Sequence, residues 1–105
     1  MGRRGYIDDS ITFQYHKSVN SKQKKTLELV FKNPIQANIL WDDIEGLFIA
    51  LGGEISEGTG SRLRVKMKGV RAVFHRPHPQ RITDKGAANS VRRFLVNAGV
   101  QYDGV

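Results

Sequence analysis

The chain has no cysteine among its 105 residues, which removes disulfide bridges, thiolate catalysis and cysteine-bound metal together. It has no apolar run near the ~20 residues that a membrane-spanning helix needs. Its opening, "MGRRGYIDD", lacks the apolar core of a signal peptide. A cytoplasmic protein with no membrane partner is therefore expected. Met1-Gly2 does not extend into a myristoylation motif, because Tyr6 stands where that motif takes Ser or Thr. A third absence is local: no carboxylate occurs between Glu57 and Asp84.

That gap holds Arg62, Arg64, Lys66, Lys68, Arg71, Arg76 and Arg81. The chain carries 17 Lys and Arg against 10 Asp and Glu, so basic and acidic residues balance outside the gap. The whole excess of +7 sits in one segment. A field of one sign, concentrated in this way, is the footprint of a polyanion-binding surface. The competing reading is a solvated face that only keeps the protein soluble.

Hydrophobic spacing assigns most of the chain. At this length one domain with one core is expected. Residues 1–20 form an arm, read as an edge strand or a flexible tail, in which "ITFQYH" alternates with a strand's period of two. "SKQKKTLELVFKNP" predicts a short helix capped by Ser21, with Leu27, Val30 and Phe31 on its apolar side and Asn33-Pro34 as the stop. Trp41, Ile44, Leu47, Phe48 and Leu51 recur at helical spacing before Gly52-Gly53, which marks a core-facing helix. The last helix is predicted from a Thr83 cap, with Ala87, Val91, Phe94, Leu95 and Ala98 inward, Arg92 and Arg93 outward, and Gly99 as its end.

Between these helices, "EISEGTGS" reads as a short strand entering a glycine turn, and "RLRVKMKGVRAVFH" as a hairpin. A two-residue Lys68-Gly69 turn sets Met67 opposite Val70, Val65 opposite Ala72 and Leu63 opposite Phe74, all on the core side. The same register puts Lys66 beside Arg71 and Arg62 beside His75 on the other face. That face is a cationic stripe, costly in like-charge repulsion unless an anion covers it. With Phe74 turned inward, the stripe lacks a stacking aromatic, so binding through phosphates is expected rather than base stacking. "RPHPQRIT" reads as a loop. The fold class is α+β: a three-stranded antiparallel sheet with helices packed on one face, plus the N-terminal helix and arm. This is the layout of a double-stranded-RNA-binding fold. The domain spans residues 21–100, with a tail at 101–105.

"LFIALGGEISEGTGSRLRVKMKG", then "HPQ", then "FLVNAGV" resembles the HicA toxin family in the order of its motifs, over about residues 38–100. The resemblance implies a ribosome-independent, mRNA-cleaving nuclease held inactive by a HicB-like antitoxin. It also implies that Gly60-Ser61 is the turn preceding the family's catalytic histidine. Arg62 occupies that next position here. A guanidinium stays charged and cannot act as a base, although it can stabilise charge on a phosphorane. His78 corresponds to the histidine of the family's His-Pro loop.

His75, paired with Arg62 by the register, is the residue able to take over acid or base work. The candidate catalytic residues are thus His75, Arg62 and His78. The candidate RNA contacts are Ser61, Arg62, Arg64, Lys66, Lys68, Arg71, Arg76 and Arg81. His75 and His78 have the spacing of two metal ligands, but the segment offers no carboxylate and its charge repels a dication. No metal, other cofactor or small-molecule ligand is expected. A phosphate-loop reading of "GEISEGTGS" fails because no helix opens after the glycines. DNA is less favoured than RNA, since no helix pair with a tight turn precedes a recognition helix. A non-cleaving RNA-binding module, or one that docks an acidic partner, is the alternative to a nuclease.

Overall fold

A computed structural model describes residues 19–102. The strand reading of residues 11–16 lies outside the described residues. The first element, α1 (Ser21–Phe31), begins with a capping box: the Asn20 side chain accepts from the Gln23 N–H at 2.8 Å, and the Gln23 side chain accepts from the Asn20 N–H at 3.0 Å. The cap is therefore Asn20 rather than Ser21, because an Asn side chain one residue earlier reaches the third-residue N–H while Gln23 reaches back. Thr26, Leu27 and Val30 are buried on its inner side, and Phe31 packs against the Tyr102 ring at 5.8 Å.

A two-residue strand, β1 (Ile39–Leu40), leads into α2 (Trp41–Ala50), which buries Trp41, Ile44, Leu47 and Phe48. Gly52, at φ 89°, supplies the turn that follows. The sheet is then laid down as β2 (Glu54–Glu57), β3 (Arg62–Met67) and β4 (Val70–His75), an antiparallel meander in that spatial order. Lys68 and Gly69 both have positive φ, 52° and 80°, as a two-residue hairpin turn whose twist matches its strands requires.

Leu63, Val65, Met67 and Phe74 are buried beneath the sheet, with Val70 and Ala72 half-buried against them. Phe74 stacks on Phe48 at 5.5 Å and lies near Trp41 and Phe94 at 5.9 and 5.8 Å. These rings join β4 to both core helices, and aromatic packing of this kind adds to simple area burial.

The segment after β4 is not wholly a loop. Ile82 and Thr83 form β5, which pairs antiparallel with β1. Thr83 is therefore a buried strand residue, and Asp84 caps α3 (Lys85–Asn97) by accepting from the Ala87 N–H at 2.8 Å. That one-residue shift turns Ala88 into the core and leaves Ala87 half-exposed. The rest of the inward stripe is Val91, Phe94, Leu95 and Ala98, as the spacing predicts.

Arg92 does not face outward. Its guanidinium donates to the carbonyls of Val30 and Lys32, at 2.8 and 2.5 Å, and to the Asn33 side chain at 3.1 Å. It satisfies the open C-terminal carbonyls of α1 and complements that end of the helix dipole. Among the described residues no helix is long and apolar enough to cross a membrane.

Candidate nucleic-acid interface

The register of β3 on β4 determines the exposed face. Arg62 pairs with His75, Arg64 with Val73, and Lys66 with Arg71. On the other side of β3, Ser56 pairs with Arg64 and Glu54 with Lys66. Because alternate residues share a face, the water-facing surface carries Arg62, Arg64 and Lys66 in a row, flanked by Arg71, Val73 and His75. All six are exposed. None of its four Lys and Arg residues has a carboxylate within ion-pair distance among the described residues; Glu54 supplies the face's acidic group. An open concavity of about 640 Å³ lies over this face, lined by Ser56, Arg64, Lys66, Arg71 and Val73 among others.

A second hollow, about 320 Å³, adjoins it at one end of the hairpin, where Thr59, Gly60 and Ser61 meet Arg62 and His75. Its rim is held by the backbone. Arg62 N–H donates to the Thr59 carbonyl at 3.2 Å, Gly58 N–H to the Arg62 carbonyl at 2.9 Å, and Arg76 N–H to the Ser61 carbonyl at 2.9 Å. Gly60 has φ 64°, which a glycine adopts without steric cost. His75 and Arg62 thus project side by side from paired positions into a hollow floored by the Gly-Ser turn. His78 lies exposed in the following loop, at a cis peptide with Pro79, and does not line that hollow.

Arg76 and Arg81, within the carboxylate-free segment, are already paired. Arg76 points away from the stripe, with its side chain only 18 % exposed. Its Nε donates to Glu45 Oε2 at 2.7 Å, and its two terminal nitrogens donate to Glu57 at 2.6 and 2.9 Å. Glu45 Oε2 also accepts from Trp41 Nε1 at 2.5 Å. This bidentate pairing holds the Glu57 carboxyl below the usual glutamate range and raises the Arg76 guanidinium still further. Arg81 is paired with Asp42, its Nε at 2.7 Å from Oδ1.

The carboxylate-free segment is thus neutralised in part by residues from α2 and β2. Glu45, Glu57 and Trp41 are site-supporting residues that the linear charge pattern does not mark. The available signal was the spacing of Trp41 and Glu45, one helical turn apart. Lys68 sits at the hairpin tip, and Ser61 is half-buried in the turn. The exposed cations brought together are therefore Arg62, Arg64, Lys66 and Arg71. Among the described residues no three metal-ligating side chains converge.

Among known families, residues 41–100 match the model described as the HicA toxin of bacterial toxin-antitoxin systems. No curated protein and no solved structure matches the chain.

Proposed function

The chain belongs to the HicA toxin family, whose model covers its α2–α3 region, and from that premise we propose that it is a metal-independent endoribonuclease that cleaves mRNA and is neutralised by a HicB-like antitoxin. The observation that carries this reading is the pairing of His75 with Arg62 beside the Gly60-Ser61 hollow. The position after Gly-Ser, where the family resemblance calls for a histidine, is an arginine in this chain. The imidazole is supplied instead from the neighbouring strand, on the same face and at the distance of a cross-strand pair.

In this reading RNA lies on the exposed sheet face, its phosphates against Arg64, Lys66 and Arg71. His75 takes the proton from a ribose 2′-hydroxyl, whose oxygen attacks the adjacent phosphorus. Arg62 stabilises the added negative charge on the pentacoordinate phosphorus, and its fixed charge suits it to that role. The phosphorus–5′-oxygen bond breaks, and the departing oxygen takes a proton from solvent. The products are a 2′,3′-cyclic phosphate and a 5′-hydroxyl. His78 is assigned to the loop that borders the interface.

The test is incubation of the purified chain with a defined mRNA in EDTA, with end-mapping of fragments. Cleavage that survives EDTA and His78→Ala but is lost in His75→Ala supports the assignment. RNA bound and never cut would leave a binding module in a toxin fold, the reading that Arg62 in place of histidine favours. Cleavage retained in His75→Ala would overturn the role given to that residue.

A further inference from the structure

We propose that the outer edge of β4, with the trough between it and α3, is a docking site for an extended, acidic segment of a partner protein, which adds to the sheet as a fourth strand. β4 is the last strand of the meander. The bond from Arg76 N–H to the Ser61 carbonyl fixes the phase of the β3–β4 ladder. In an antiparallel pair, hydrogen-bonded positions alternate, so Val70, Ala72 and Phe74 turn their backbone groups toward β3. Those of Arg71, Val73 and His75 point outward, and they meet no backbone partner among the described residues. An edge left open among the described residues is a template for another strand.

The space beside that edge is already shaped. A trough of about 570 Å³ runs between β4 and α3, with Ala87, Ser90 and Phe94 on its helix side. A strand laid on β4 would alternate its side chains between two surroundings. One set would enter the trough over Ala87 and Phe94, where small apolar groups fit. The other would lie on the exposed sheet face beside Arg71 and His75, where carboxylates fit. Among the described residues no acidic side chain lines the trough, and Arg93 adds a positive rim. The occupant is therefore a segment that alternates acidic and apolar residues.

A second copy of this chain fits less well. Pairing β4 with itself around Val73 would set Arg71 opposite His75 of the other copy, with no carboxylate to oppose the guanidinium. RNA has no ladder of N–H and C=O groups to match this edge. The docking stands whether or not the sheet face cuts RNA, and its test contains no RNA in the first arm.

The experiment uses the full chain, labelled with nitrogen-15, titrated with an end-blocked octapeptide of alternating glutamate and valine. The expected result is that the Arg71, Val73 and His75 amides shift and become protected from solvent exchange, with no effect from a lysine-valine peptide. Val73→Pro removes the central outward N–H at an edge position that tolerates proline, and should weaken the peptide at least about tenfold. Ser90→Glu, on the exposed surface of α3, should weaken it by a similar factor through charge repulsion without touching the strand.

Shifts confined to Arg62, Arg64 and Lys66 would mean that the peptide lies across the sheet face, and would overturn the edge site. Unchanged binding by both variants would do the same. Concentration-dependent shifts of the three edge amides without peptide would reassign the edge to a second copy. An oligoribonucleotide that protects those amides, in a separate arm, would reassign it to RNA.

Discussion

Arg76 and Glu45, 31 residues apart in sequence, meet through an Nε–Oε2 contact of 2.7 Å with both side chains largely withdrawn from water. The same guanidinium reaches Glu57, while its backbone N–H holds the Ser61 carbonyl. One residue thus ties α2, the end of β2 and the turn beside the His75 hollow. Arg76→Ala would leave Glu45 with the Trp41 indole and a longer, 3.6 Å ion pair to the Arg81 guanidinium. The expected loss is about 2–3 kcal/mol, somewhat less than for a fully buried pair. Arg76→Lys should recover only part of it, because a lysine cannot serve two carboxylates with a planar fork. Denaturant unfolding of the three proteins measures both steps.

The Glu57 carboxyl, held low by Arg76, makes part of this tie dependent on acid. A carboxylate whose folded-state value lies below its unfolded one stabilises the fold above the unfolded value, about 4.3 for glutamate, and loses that contribution as pH falls through the lowered value. Melting temperatures between pH 6 and 2 should therefore decline less steeply over the acid limb in Glu57→Gln than in the parent chain. Identical profiles would mean that the Arg76–Glu57 contact contributes nothing in solution, as solvent-exposed pairs often do.

Phosphate contacts along Arg62, Arg64, Lys66 and Arg71 imply a strong salt dependence. Four contacts to a single strand give a slope of about −3 for log affinity against log salt. Lys66→Ala should flatten that slope by about 0.7 and weaken RNA of every sequence to a similar degree. Lys24→Ala, on the exposed side of α1, should leave the slope unchanged. Fluorescence anisotropy over a salt series reads both, and equal slopes for the Lys66 variant and its parent would remove Lys66 from the interface.

Arg92 closes the end of α1 with three hydrogen bonds. Arg92→Ala is expected to cost about 1.5–3 kcal/mol, the range for hydrogen bonds to a charged group. The loss should be concentrated in α1, so amide exchange at Leu29, Val30 and Phe31 should accelerate more than exchange in β3. Uniform acceleration across the chain would show that α1 unfolds only with the whole domain.

The hairpin register is legible in the sequence because two local rules agree there. Strict alternation from Arg62 to Met67 sets the faces, Val70 to His75 follows it except for the exposed Val73, and Lys68-Gly69 sets the turn, so each cross-strand pair follows by counting. The stripes of α2 and α3 are legible for the same reason, since their period lies within one element. Relationships between distant elements leave no such mark. Arg76 looks unpaired in the linear charge pattern because its partners come from α2 and β2. Arg92 looks solvent-facing because the carbonyls it meets lie 60 or more residues away. The β1–β5 ladder, two residues on each side, is too short to show any period. The helix caps were missed by one residue, because Asn20 and Thr83-Asp84 offer adjacent polar side chains that only the observed backbone distinguishes.

That short ladder also joins two segments far apart in the chain. Ile39 and Leu40 pair with Ile82 and Thr83, so the clasp encloses α2 and the whole meander. The meander's own pairings join near neighbours across tight turns and close at little entropic cost, whereas the clasp must close a long loop. During synthesis, β2, β3 and β4 leave the ribosome before the second half of the clasp and before α3. The strands that carry the cationic face are therefore all synthesised before the helix that covers the other side of the sheet.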